Sequence, residues 1–269
     1  MIVCVSASPS IDKLFEVERL EPGSIHRPTS FVQVPGGKGL NAARAAAALG
    51  AEVRAVALVG GHAGAWIEDA LAAEGIDARF ARGEHETRSC LSVADASAGD
   101  LTEFYEFGPE VSPVVWEELE ARVGEALAGA GWLTLSGSIP PGAPADGYVR
   151  LTAAARAAGV RVALDSRGAA LVATFEAQPD VAKVNASEVS EALETEIGGA
   201  GDAFRTAEEL RERCGGEGHT AVVTLGTEGA VVVDPSGTRW RATLDARGRY
   251  PVGSGDAFLA GLVASLDHA

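Results

Sequence analysis

The sequence predicts an α/β protein, with a mostly parallel sheet, helices on both of its faces and a small second sheet. Two observations carry that expectation. Apolar strand-like runs alternate with helical runs along most of the chain, the pattern of parallel strands joined by crossover helices. Two regions, 11–34 and about 86–108, break the rhythm with alternating, more polar strands and no helix between them, which reads as a β-lid inserted into a single domain spanning 1–269.

The elements follow in order. Ile2 to Ser6 is apolar and reads as a buried first strand, with short extended segments at Leu14–Val17 and Ser30–Val34. The alanine-rich stretch from Asn41 reads as a helix closed by Gly50, a residue suited to the left-handed position after a helix. Val53–Val59 is a strand, Ala65–Glu74 a helix, Trp132–Leu135 a strand, Asp146–Ala158 a helix and Val160–Leu164 a strand. Val181–Val184 is a further strand and Ala207–Cys214 a helix, and a Thr-Glu-Gly turn joins strands Ala221–Leu225 and Ala230–Val233.

Charge and cysteine usage narrow the function. With 22 basic against 38 acidic residues the net charge is −16, which argues against nucleic acid or an anionic membrane as partner. Anionic small substrates would then need local basic residues or a metal inside the site. The three cysteines, Cys4, Cys90 and Cys214, suit neither a disulfide framework nor a zinc site, and no run approaches 18 apolar residues, so a cytoplasmic protein is expected.

Two glycine-rich segments carry chemistry. Pro35-Gly36-Gly37-Lys38-Gly39-Leu40-Asn41 lets backbone approach a ligand ahead of a helix N-terminus, although a tight turn with a helix cap explains it equally well. It lacks the spacing of a P-loop, and the first strand ends in Ser-Ala-Ser-Pro rather than GxGxxG, which counts against hydride transfer with a dinucleotide. Val252-Gly253-Ser254-Gly255-Asp256-Ala257-Phe258 leads into an apolar helix. Its glycines could form an oxyanion site and Asp256 could take a proton from an attacking hydroxyl, or it could simply cap the helix. Gly199-Ala200-Gly201-Asp202-Ala203-Phe204 spells nearly the same words, but it follows an acidic segment and enters a polar helix, so Asp256 is preferred to Asp202.

Five motifs in one order, PGGKGLNAA, LSGSIPPG (Leu135–Gly142), KVNASE (Lys183–Glu188), VTLGTEG (Val223–Gly229) and VGSGDAF, resemble the PfkB/ribokinase-like carbohydrate kinases over essentially the whole chain. Within them the chain is most similar to the 1-phosphofructokinase and tagatose-6-phosphate kinase branch. The resemblance implies a ribokinase-like three-layer α/β/α fold and ATP-dependent phosphoryl transfer to a phosphorylated ketohexose: fructose 1-phosphate, fructose 6-phosphate or tagatose 6-phosphate. It implies Asp256 as catalytic base with Gly253, Ser254 and Gly255 as anion hole, and Asp12, Gly37, Asn41 and Ser138 on the sugar. Lys183, Asn185, Thr224, Gly226 and Gly229 match nucleotide-binding positions, and Glu188 matches a water-mediated ligand of Mg²⁺, an ion that prefers few protein ligands. Arg27, Lys38 and Arg88 are expected to clamp the sugar phosphate, Arg forks matching phosphate oxygens bidentately.

Departures from the family pattern keep other readings in view. The lysine motif has Val184 where proline is common, and Gly60-Gly61-His62-Ala63-Gly64 lacks an aspartate frequent in kinases of free sugars and nucleosides; His62 is expected at the surface. Only 13 residues follow Asp256, so the C-terminal helices that wall the adenine in relatives are expected to be missing after 269. The alternatives are a kinase of a free sugar or nucleoside, and a catalytically weak sugar- or nucleotide-binding protein. A homodimer through the lid is the expected assembly.

Overall fold

The computed structural model describes residues 1–245, 248, 250 and 252–267. Among them nine strands form the main sheet: β1 (Ile2–Ser6), β4 (Val53–Val59), β5 (Asp77–Arg82), β8 (Trp132–Ser136), β9 (Arg161–Asp165), β10 (Val181–Asn185), β11 (Thr220–Thr224), β12 (Ala230–Val233) and β13 (Arg239–Ala242). Their order is β13-β12-β11-β10-β9-β8-β1-β4-β5, and every pairing is parallel except those of β12 with β11 and β13. A second sheet, in the order β3-β2-β6-β7, comprises β2 (Ser10–Val17), β3 (Ser30–Gly36), β6 (Ser89–Asp95) and β7 (Asp100–Tyr105).

Helices cover both faces of the main sheet because its strands are apolar on both sides. In β1 the period of two sends Val3 and Val5 into one core and Ile2 and Cys4 into the other. The first core is closed by α3 (Pro113–Ala126), α4 (Gly147–Ala157), α5 (Gly168–Phe175), α6 (Ala186–Leu193) and α7 (Ala200–Arg213). The second is closed by α1 (Lys38–Ala48), α2 (Gly61–Ala73) and α8 (Ser254–Asp267). None of the described helices is long and apolar enough to cross a membrane.

The alternation read from the sequence is present, with differences that have physical causes. Strands β5 and β13 lie at the sheet edges and carry polar, partly exposed side chains, so they lack the apolar run of a central strand. Helices α3, α5 and α6 were not legible as separate periods, two of them being only eight residues long. Helix α7 begins seven residues earlier than expected and absorbs the Gly199–Asp202 segment into its start.

Strand order reverses about β1: the chain runs outward to β4 and β5, then returns beside β1 as β8 and continues through β9 to β11. In open parallel sheets ligands bind outside the carboxyl ends of the strands at such a switch point. The carboxyl ends here are Ser6, Ser136, Asp165, Asn185 and Thr224, and the chemistry-bearing motifs gather around them.

Candidate active site

The glycine run after β3 exists because backbone and side chains crowd it. A Cβ on Gly39 would lie 2.2 Å from the Val5 carbonyl oxygen, so only glycine lets α1 press its N-terminus against the end of β1. A Cβ on Gly36 would fall 2.0 Å from Asp12 Cγ, so Gly36 reserves the space that the Asp12 carboxylate fills. Ser10 Oγ donates to Asp12 Oδ1 at 2.6 Å. Burial pushes the Asp12 carboxyl upward, opposed by hydrogen bonds from Ser10 and the Gly37 amide and by the charges of Arg88 and Arg44. Gly36→Ala is therefore expected to displace that carboxylate, at a cost of about 1–3 kcal/mol in stability that a lower urea midpoint would show.

Helix α1 then projects two polar side chains one turn apart. Lys38 Nζ reaches Asp165 Oδ1 at 2.9 Å and Glu188 Oε1 at 2.7 Å, and Asn41 Nδ2 donates to Asp256 Oδ2 at 2.9 Å. Asp165, fully buried at the end of β9, also accepts Lys183 Nζ on its other oxygen at 2.6 Å. Burial alone would pull the Lys38 ammonium down, but Asp165 and Glu188 outweigh it and hold the group above its ordinary value. Three carboxylates and two ammonium groups thus share one centre.

Asn185 and Glu188 form a capping box at the start of α6: Glu188 N donates to Asn185 Oδ1 at 2.8 Å and Asn185 N to Glu188 Oε2 at 3.0 Å. The cap is what turns Glu188 Oε1 toward Lys38. On the neighbouring strand β11, Thr224 pairs in register with Asn185, and the turn Gly226–Glu228 follows, with Gly226 and Gly229 at positive φ.

Asp256 lies in the first turn of α8, entered through Gly253 at φ 78°, and is 7% exposed. A Cβ on Gly255 would sit 2.9 Å from Lys183 Nζ, which places that ammonium over the start of α8. Burial first, and the negative charge of Asp165 second, push the Asp256 carboxyl up to about 6. A carboxylate tuned toward neutrality and buried among cations is the form a general base takes.

Beside this centre a cleft of about 620 Å³ is lined by Asp12, Asn41, Arg44, Val34, Tyr250 and Gly253. Arg88, the residue before β6, approaches Asp12 and donates to the carbonyl oxygens of Ser8 and Glu106 at 3.2 Å each, while its buried Nε has no partner among the described residues. Ser138 lines a neighbouring cleft of about 460 Å³ with Arg167 and Glu191.

The expected basic trio is not assembled. Arg27 is exposed on the connection between β2 and β3, at the end where Glu16 pairs with Ser30; that is four residues from Asp12, or about 13 Å of strand. Lys38 is held by Asp165 and Glu188. Of the three, Arg88 stands near Asp12, as does Arg44. Asp202 pairs with Arg205 and caps the Gly198 amide, a local helix-start role. His62 is exposed, as expected. Asp165 and Arg44 were missed by the sequence reading, although an aspartate ending an apolar strand of a parallel sheet was a usable signal.

A family model described as "pfkB family carbohydrate kinase" matches residues 1–269. A 1-phosphofructokinase of Xanthomonas campestris pv. campestris is 32% identical over 269 residues, covering 98% of this chain and 83% of that protein. A 1-phosphofructokinase of Haloferax volcanii is 33% identical over 271 residues, covering 100% and 85%. The tetrameric inhibited form of phosphofructokinase-2 from Escherichia coli superposes with a TM-score of 0.89 at 29% identity, covering 99% of this chain and 87% of that one.

Proposed function

The chain belongs to the pfkB family of carbohydrate kinases, and from that premise we propose that it transfers the γ-phosphoryl group of ATP to a hydroxyl of a phosphorylated ketohexose, with Asp256 as base. The observation that carries this reading is the convergence of a buried carboxylate, Lys183 and the glycine-entered start of α8 at the mouth of a cleft that also holds Asp12 and Asn41. Phosphoryl transfer asks a protein mainly for positioning and charge neutralisation.

In the proposed reaction the sugar lies in the 620 Å³ cleft with hydroxyls on Asp12 and Asn41. Asp256 takes the proton of the acceptor hydroxyl, and the Gly253 to Gly255 amides with Lys183 offset the charge on the moving phosphoryl group. Nucleotide phosphates lie along Lys183 and Asn185, with Thr224, Gly226 and Gly229 lining the nucleotide. The donor set fits Mg²⁺: Glu188 presents a hard carboxylate oxygen at a place where Lys38 already shows that a cation is stabilised. Mg²⁺ takes few protein ligands, so one carboxylate would hold it through water. When bound, the ion would neutralise phosphate charge.

The sugar's own phosphate is assigned to Arg88, whose guanidinium charge stands beside Asp12 at the edge of the small sheet. Ser138 is assigned to the same ligand from the neighbouring cleft. Exposed Phe31 and Phe104 on the small sheet support a homodimer formed through that sheet.

The test is ADP release with Mg·ATP against fructose 1-phosphate, fructose 6-phosphate, tagatose 6-phosphate, fructose and ribose. Turnover confined to the phosphorylated ketoses is expected, and turnover on free sugars alone would refute the assignment. Arg88→Ala is expected to raise KM for the phosphorylated sugar by 10-fold or more; a hydrogen-bonded charge pair is worth about 1.5–3 kcal/mol. An equal rise for free fructose would remove the phosphate role.

A further inference from the structure

Asn41 touches two things at once: it lines the sugar-side cleft, and its Nδ2 donates to Asp256 Oδ2 at 2.9 Å. A carboxamide has two N–H donors and one acceptor oxygen, so one N–H can be spent on Asp256 while the other and Oδ1 remain for a ligand. We infer that Asn41 is a positioning residue for proton transfer, clamping Oδ2 of Asp256 so that Oδ1 is the atom that accepts the substrate proton. The inference rests on the reading of Asp256 as base.

The placement is built rather than incidental. Asn41 is held at this distance because Gly39 lets α1 sit against Val5, while Lys38, one turn earlier, is tied to Asp165 and Glu188. A hydrogen bond across two helices fixes the rotation of the carboxylate, which α8 alone would leave free about its terminal torsion. The groups facing Asp256 are Asp165 from β9, Lys183 from β10, and Lys38 and Asn41 from α1. Asn41 is the neutral donor among them, and it favours the charged form without adding charge to a site that must bind anions.

The sign of its effect follows. Removing a donor to the carboxylate favours protonation, so the pH below which the base is lost moves up. In Asn41→Leu the acid limb of kcat/KM is expected to rise by about one pH unit, a roughly tenfold loss of ionised base below the limb. Asn41→Gln, which retains a donor, should return part of that shift, and Asn41→Ala repeats the Leu result without demanding room. Titration of the Asp256 side-chain carbon by ¹³C NMR in the substrate-free protein should show the same displacement. A mere sugar contact would multiply KM equally at every pH; an unmoved limb with an unmoved NMR titration overturns the inference. If instead the acid limb persists in Asp256→Asn, the base reading itself fails, an outcome distinct from an unmoved limb in the Asn41 variants.

Discussion

Asp256→Asn is expected to lower kcat by about 10²–10⁴ while making the folded protein more stable at neutral pH. The two effects have one source. Burial and the neighbouring charge of Asp165 push the Asp256 carboxyl from 3.8 to about 6, so the folded protein holds that proton more tightly than the unfolded chain does. Stability from this group is therefore present at low pH and is lost as pH rises toward about 6; at pH 7 the ionised carboxylate opposes folding. Each unit of displacement corresponds to about 1.4 kcal/mol, so the ionised group destabilises by on the order of 2–3 kcal/mol. Asparagine removes the charge and keeps an oxygen for the Asn41 donor. Thermal unfolding at pH 7 should show a Tm several degrees higher, about 2–4 °C per kcal/mol for a chain of this size, with the advantage shrinking toward pH 4. In the parent enzyme kcat/KM should fall below about pH 6. A variant that loses activity without gaining stability would show that the carboxylate is better solvated than its 7% exposure implies.

Asp165→Ala is expected to act in the opposite direction on stability, lowering it by about 3–5 kcal/mol. Asp165 is fully buried and holds Lys183, whose side chain is 3% exposed, as well as Lys38. Removing the shared carboxylate leaves a buried ammonium without its counter-charge, and Glu188 remains only for Lys38. The ordinary loss from a missing buried pair is enlarged because two cations depend on one acid. Urea unfolding should show a lower midpoint with an unchanged slope, since the same surface is exposed on unfolding. Catalysis should fall too, because Lys183 is no longer held over the start of α8. Any residual activity should have its acid limb displaced downward, as the charge that raises Asp256 is gone. A loss below about 1 kcal/mol would mean that water replaces the carboxylate and that the centre is wetter than its burial suggests.

Much of the candidate site was legible because glycines and helix starts impose local conditions. Gly36, Gly37 and Gly39 are required by contacts with residues 5 to 12, within about thirty positions, and the run advertises itself as a turn before a helix. Asn185 and Glu188 were reached through the family resemblance, and their capping box came only with the structure. Gly253 takes a left-handed conformation just before α8. Asp256 outranked Asp202 on an argument about strand ends; in the structure Asp256 is buried against Asn41, whereas Asp202 pairs with Arg205 at the start of α7.

Where the basic residues come to lie was not legible, because proximity in a lid segment is not proximity in space. Strand direction carries Arg27 away from Asp12 at about 3.3 Å per residue, and the Asp165–Lys38 contact joins residues 127 positions apart. Edge strands β5 and β13 escaped notice for a related reason, since their polar faces are set by where the sheet ends.

By itself, then, the sequence determined the alternating α/β order, the two glycine-entered helix starts and the choice of Asp256 as candidate base. Each depends on φ/ψ freedom, capping or hydrophobic periodicity over a few neighbouring residues. Tertiary structure alone decided which ammonium meets which carboxylate, which arginine stands by Asp12 and how far Asp256 is shifted. Those depend on burial and on Coulomb forces that act through space, between strands brought side by side only when the sheet closes at its switch point.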